Sequence, residues 1–89
     1  MSHNTNPVSM DTQVAELFGR VLRAKREGKE ISQQDLAFAS GLDRTYISLL
    51  ERGLRQPSLT SILNLSLALE IEPWVLIKEM GNSEKDKTS

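Results

Sequence analysis

The chain has 89 residues, 38 % of them hydrophobic, and a net charge of −1, so one small domain with an economical core is the expectation. It holds no cysteine and a lone histidine, His3, which excludes a disulfide framework and leaves a metal site without ligands, so neither metal nor cofactor is expected. No apolar run approaches the roughly 20 residues of a membrane span, the polar Met1–Asn6 stretch lacks the order of a signal peptide, and a cytoplasmic protein with no membrane partner is expected.

The placement of charge says more than its sum. Residues 20–55 carry eight basic and five acidic side chains, a balance of +3, while the rest carries three basic and seven acidic, a balance of −4. A basic middle can present one positive face to a polyanion, although solvated helix faces often look the same.

Residues 1–10 show no periodicity and read as a flexible tail, with residues 11–81 as the folded domain. Val14, Leu17, Phe18, Val21 and Leu22 fall at i, i+3, i+4, i+7 and i+8, the stripe of an amphipathic helix, with Asp11 as its N-cap and Gly28 as its stop. Ser32-Gln-Gln-Asp35 resembles a capping box and opens a second helix that ends at Gly41. Asp43 is placed to cap a third helix, Arg44 to Arg52, closed by Gly53. Pro57-Ser58 opens a fourth helix whose leucines lie on more than one face. Pro73 suits the first turn of a fifth, running to about Met80 with Gly81 as its end. The polar residues 82–89 read as a second flexible tail. No strand pattern is found, so the fold class is all-α with five helices.

Two short helices joined by a tight turn around a glycine form a helix-turn-helix, here helices two and three. At about 100° per residue, a third helix centred on a buried Ile47 puts Leu50, Glu51 and Leu54 near the core. Thr45, Ser48, Leu49 and Arg52 then point away, with Arg44 and Tyr46 on the flanks. A guanidinium, hydroxyls and apolar atoms suit the base edges of a DNA major groove, and the N-terminal end of such a helix is the part that reaches them. An ordinary solvated helix face would carry similar residues.

The pattern Ser32-Gln33-x-x-Leu36-Ala37-x-x-x-Gly41-Leu42, followed by Tyr46-Ile47-Ser48-x-x-Glu51-x-Gly53-x-x-x-Pro57-Ser58, resembles the lambda-repressor-like (Xre-type) DNA-binding domain. The likeness runs from about Phe18 to Ile77. Within it, Asp43-Arg-Thr-Tyr-Ile-Ser48 and Glu51-Arg-Gly53 look most like the controller proteins of restriction–modification systems. The resemblance implies a transcriptional regulator that binds a palindromic operator in duplex DNA as a homodimer, not an enzyme, with no small-molecule ligand. It implies that Gln33 holds a phosphate, that Arg44, Thr45, Tyr46 and Ser48 face base edges or groove phosphates, and that Arg52, Arg55 and Gln56 contact the backbone. Leu49 would meet thymine methyls or the second subunit, and Tyr46 fits packing as well as DNA contact. Arg26 and Glu51 correspond to an ion pair joining the first helix to the third. Trp74, Val75, Ile77 and Met80 suit a dimer interface, and an activator would also touch RNA polymerase. Two departures stand out. Glu70 occupies a position where the family commonly has glycine, and Ser66 replaces a small alanine. The alternative is an antitoxin-type helix-turn-helix protein that binds a toxin and autoregulates its operon.

Overall fold

The computed structural model describes the backbone of residues 10–88 and the side chains of residues 10–82. Nine of the ten residues assigned to the N-terminal tail, and Ser89, lie outside the described residues. The described chain forms five helices: α1 (Met10–Gly28), α2 (Gln33–Ser40), α3 (Arg44–Glu51), α4 (Leu59–Leu69) and α5 (Pro73–Thr88). No strand occurs among the described residues. The core is built from Phe18, Val21 and Leu22 of α1, Leu36 and Ala37 of α2, Ile47 and Leu50 of α3, Leu65 and Leu69 of α4, and Leu76 of α5. Each buried leucine or isoleucine contributes on the order of 1.5–3 kcal/mol by leaving water; Phe18 adds a fully buried ring, and Tyr46 packs against the core half-buried.

The helix ends show how local sequence sets these elements. Ser32 and Asp35 cap α2 reciprocally: the Asp35 amide donates to Ser32 Oγ at 2.9 Å, and the Ser32 amide donates to Asp35 Oδ2 at 3.3 Å. Ser58 caps α4, its Oγ accepting from the Ser61 amide at 3.0 Å. Asp43 occupies the N-cap of α3 with extended backbone, yet its side chain makes no capping bond. Asp11 is not the cap of α1. The helix already begins at Met10, which places the Asp11 carboxylate in the first turn, where it complements the helix dipole.

Four helices end in the same way, with a left-handed residue that lets two amides turn back onto the last carbonyls. At α2 and α3 this residue is Gly41 (φ 73°) or Gly53 (φ 74°). At α1 and α4 it is a glutamate, Glu30 (φ 60°) or Glu70 (φ 61°). α1 ends at Gly28 as expected, but Gly28 itself stays helical, and the left-handed reversal falls two residues later, with Glu30 N–H on Glu27 O at 2.9 Å and Ile31 N–H on Arg26 O at 3.4 Å. The Glu70 position keeps the family's backbone without the family's glycine. Its carboxylate meets Lys29 Nζ at 2.8 Å, which holds the Glu70 carboxyl below the usual range. Ser66 is buried and donates to Leu63 O at 3.0 Å, so its hydroxyl is satisfied within its own helix.

α5 also departs from its expected length. It continues through Gly81 to Thr88, so residues 82–88 are helical rather than a tail. Gly81 is not among the glycines with positive φ. A glycine ends a helix only where the chain takes the left-handed turn.

One glycine sets a distance. At Gly19, α1 crosses the end of α3 so closely that a β-carbon there would come within 2.8 Å of the Glu51 carbonyl oxygen and nearer still to that of Leu50. Only a residue without a side chain permits this crossing.

Candidate nucleic-acid interface

The turn Gly41-Leu42-Asp43 joins α2 to α3, which buries Ile47, Leu50 and Glu51 and leaves its other side open. Its outer surface carries Arg44, Thr45 and, at the C-cap, Arg52, all exposed. Ser48 and Leu49 are half-buried on the same side. Leu49 is less open than the helical projection suggests, because the closing turn folds back here, Leu54 N–H donating to Leu49 O at 2.9 Å. That turn also accounts for Leu54. The projection puts it near the core, but α3 stops at Glu51, and Leu54 lies beyond the reversal, exposed. Arg55 and Gln56 are exposed in the loop that follows. The Arg52 guanidinium folds along its own helix, Nε donating to Ser48 O at 3.4 Å.

Beneath this surface a polar cluster fixes α3 in place. The Glu51 carboxylate, only 2 % exposed, receives Arg26 Nε at 2.6 Å and Arg26 Nη2 at 3.0 Å. Gln33 Nε2 donates to the same carboxylate at 3.0 Å, and Arg26 Nη1 donates to Ile31 O at 2.8 Å. The hydrogen bonds to Glu51 outweigh the cost of burial and raise the Arg26 pKa above its ordinary value. A bidentate guanidinium–carboxylate pair is geometrically demanding as well as strong, so α1, α2 and the end of α3 are held in one arrangement. Gln33 is part of it.

Tyr46 is half-buried against the core, and its hydroxyl lies 3.1 Å from Ser61 Oγ on α4. The structure thus gathers Gln33, Arg44, Thr45, Ser48, Leu49, Arg52, Arg55 and Gln56 along α2, α3 and the following loop. It turns the Tyr46 hydroxyl the other way, toward α4.

A second surface lies on α4 and α5. Trp74 (59 % exposed) and Ile77 are open, while Val75 and Met80 are half-buried, Met80 packing on the core. Lys78 Nζ sits 5.7 Å from the centre of the Trp74 ring. On α4, Leu63 and Leu67, the latter 77 % exposed, are open as well. Neither is among the interface residues named from the sequence, although Leu59, Leu63 and Leu67 recur at i, i+4 and i+8, a spacing that marks one helix face. Among the described residues no single helix is long and apolar enough to cross a membrane.

A five-helix bundle with its second and third helices set in this way is the lambda-repressor-like helix-turn-helix fold. The chain belongs to the helix-turn-helix family of transcriptional regulators, whose model matches residues 22–73. It is 42 % identical over 81 residues to the control protein C.BamHI of Bacillus amyloliquefaciens, covering 88 % of this chain and 100 % of that one. Among solved structures it is similar to the restriction-modification controller protein C.AhdI from Aeromonas hydrophila, with 52 % identity and a TM-score of 0.68 over 70 % of this chain and 94 % of that one. It is also similar to the wild-type restriction-modification controller protein C.Esp1396I, with 30 % identity and a TM-score of 0.76 over 82 % of this chain and 95 % of that one.

Proposed function

We propose that this chain binds a palindromic operator in duplex DNA as a homodimer and controls the genes of a restriction–modification system. The observation that carries the reading is α3 itself: an exposed arginine and threonine at its N-terminal end, held at a fixed attitude by the Arg26–Glu51–Gln33 cluster. Similarity along the whole of one control protein and most of two controller structures supports it.

In this reading Arg44 pairs with a guanine edge, with Thr45 and Ser48 beside it and Leu49 against a thymine methyl. Gln33, Arg52, Arg55 and Gln56 hold phosphates and set the register. One recognition helix reads only a few base pairs, so two are needed, about 34–36 Å apart on successive turns of one DNA face. A two-fold axis through the Leu63, Leu67, Trp74 and Ile77 surface supplies the second, and a self-complementary patch with a central aromatic suits that role. Where binding activates a promoter, RNA polymerase is the further partner. The work is done by binding, with no catalysis.

The test is selection of bound duplexes from a random pool, followed by anisotropy titration of the winner at several salt concentrations. A palindrome bound by two subunits, with affinity falling steeply as salt rises, is the expected result. No enrichment, with only weak salt-sensitive binding, overturns the reading and favours a toxin-type protein partner.

A further inference from the structure

Three hydroxyls form a chain beneath the recognition helix. Ser58 Oγ, the cap of α4, donates to Ser61 Oγ at 2.8 Å, and the Ser61 amide returns a bond to Ser58 Oγ at 3.0 Å. Ser61 Oγ in turn lies 3.1 Å from the Tyr46 hydroxyl. Ser61 is 5 % exposed, so it reaches no ligand directly. Tyr46 stands in the first turn of α3, between Thr45 and Ile47, and is only half-buried. The phenol is therefore held at both ends, by its backbone on α3 and by its hydroxyl on α4. A tyrosine side chain has two soft torsions, and anchoring the far end of the ring fixes both.

We infer that Ser61 is a positioning residue for DNA specificity: it parks the Tyr46 hydroxyl inside the protein, so that Tyr46 offers the duplex a ring edge at a set angle and not a hydrogen-bonding group. This rests on the reading of α3 as the DNA-facing helix. The aromatic edge is an apolar surface of the kind that meets a thymine methyl. The hydroxyl, spent on Ser61, takes no part in reading bases. The same bond ties the attitude of α3 to α4, which carries the exposed leucines.

The duplex won by selection, and a set of its single-base-pair variants, would be titrated with the wild type, Tyr46→Phe, Ser61→Ala and the double variant. The quantity read is the ratio of affinities for the winner and each variant site. Partial unfolding lowers both affinities by one factor and leaves their ratio unchanged, so a merely structural role does not move it. Tyr46→Phe and Ser61→Ala should each lower discrimination at the same base pair by about threefold to tenfold, the worth of one ordinary hydrogen bond. The double variant should lose no more than either single one, since both remove the same bond. A Ser61→Ala protein that discriminates like the wild type, while Tyr46→Phe does not, would mean the hydroxyl reads the base itself and would overturn the inference alone. Absence of any selected site overturns the DNA reading and the inference with it.

Discussion

At the scale of single residues, the most consequential group is the Glu51 carboxylate. It accepts three hydrogen bonds in a place where water scarcely reaches. An anion there persists because Arg26 faces it squarely. Arg26→Leu should leave the carboxylate buried and unpaired and cost about 3–5 kcal/mol, read as a lower urea midpoint. Glu30 presents the opposite case. A non-glycine residue in the left-handed region is strained by roughly 1 kcal/mol, and Glu30 makes that turn with an exposed side chain. Glu30→Gly should therefore raise stability by about 0.5–1 kcal/mol, measured in the same titration. These positions also mark how far the sequence could be read. The left-handed turns at Gly41 and Gly53 were legible because glycine is the residue that adopts them without strain. Those at Glu30 and Glu70 were set by packing of the segments that follow, which local composition does not encode. The same physics made Gly81 a false stop, since glycine permits the turn but does not impose it.

At the scale of the elements, α3 is short and owes its attitude to its neighbours. Eight residues make too few hydrogen bonds to be stable alone in water. Its position is set by Gly19 beneath its C-terminal end, by the Arg26–Gln33 pair on Glu51, and by Ser61 through Tyr46. Gly19→Ala should push the new methyl group against backbone that no rotamer change can move, with a cost of about 2–3 kcal/mol in thermal or urea unfolding. The two ends of the recognition surface should respond differently to truncation. Arg44→Ala should cost about 1–3 kcal/mol at the selected site and relax preference at one base pair, while Arg52→Ala should weaken binding to all sequences alike and reduce the salt slope. Anisotropy titrations against substituted duplexes separate the two. The existence and order of all five helices followed from the apolar stripe of α1 and from caps, glycines and prolines at the ends of the others, and the HTH family from motif residues at fixed offsets. The close approach at Gly19 did not, because a glycine inside a helical stripe carries no sign of which backbone will lie against it. The hydroxyl chain beneath Tyr46 was equally hidden, since Tyr46 and Ser61 are brought together only by the tertiary crossing of α3 and α4.

At the scale of the whole molecule, the proposed function asks an asymmetric bundle to make a symmetric reader. Leu67 lies outside the core, and it is exposed on α4 together with Leu63. Leu67→Glu should leave the helical circular dichroism signal intact while shifting sedimentation from dimer to monomer, and should weaken operator binding in proportion. A variant that remains dimeric would place the two-fold axis elsewhere. The apolar excess of the last two helices was visible in the sequence. Its division between core and surface was not, because α4 is apolar on several faces and only the fold decides which of them is covered.

The crossing at Gly19 gains a further meaning once two copies are considered. A two-fold axis doubles every error in the protomer: if α3 slides outward against α1, the gap between the paired helices widens by twice the slide. The rise of the double helix allows little of that, because neighbouring base pairs are stacked in contact. A bare glycine seated on a rigid carbonyl is the hardest stop a polypeptide can offer, since nothing between the two backbones can change rotamer. In the proposed dimer Gly19 would thus serve as the gauge of the assembly, a length standard set within each protomer.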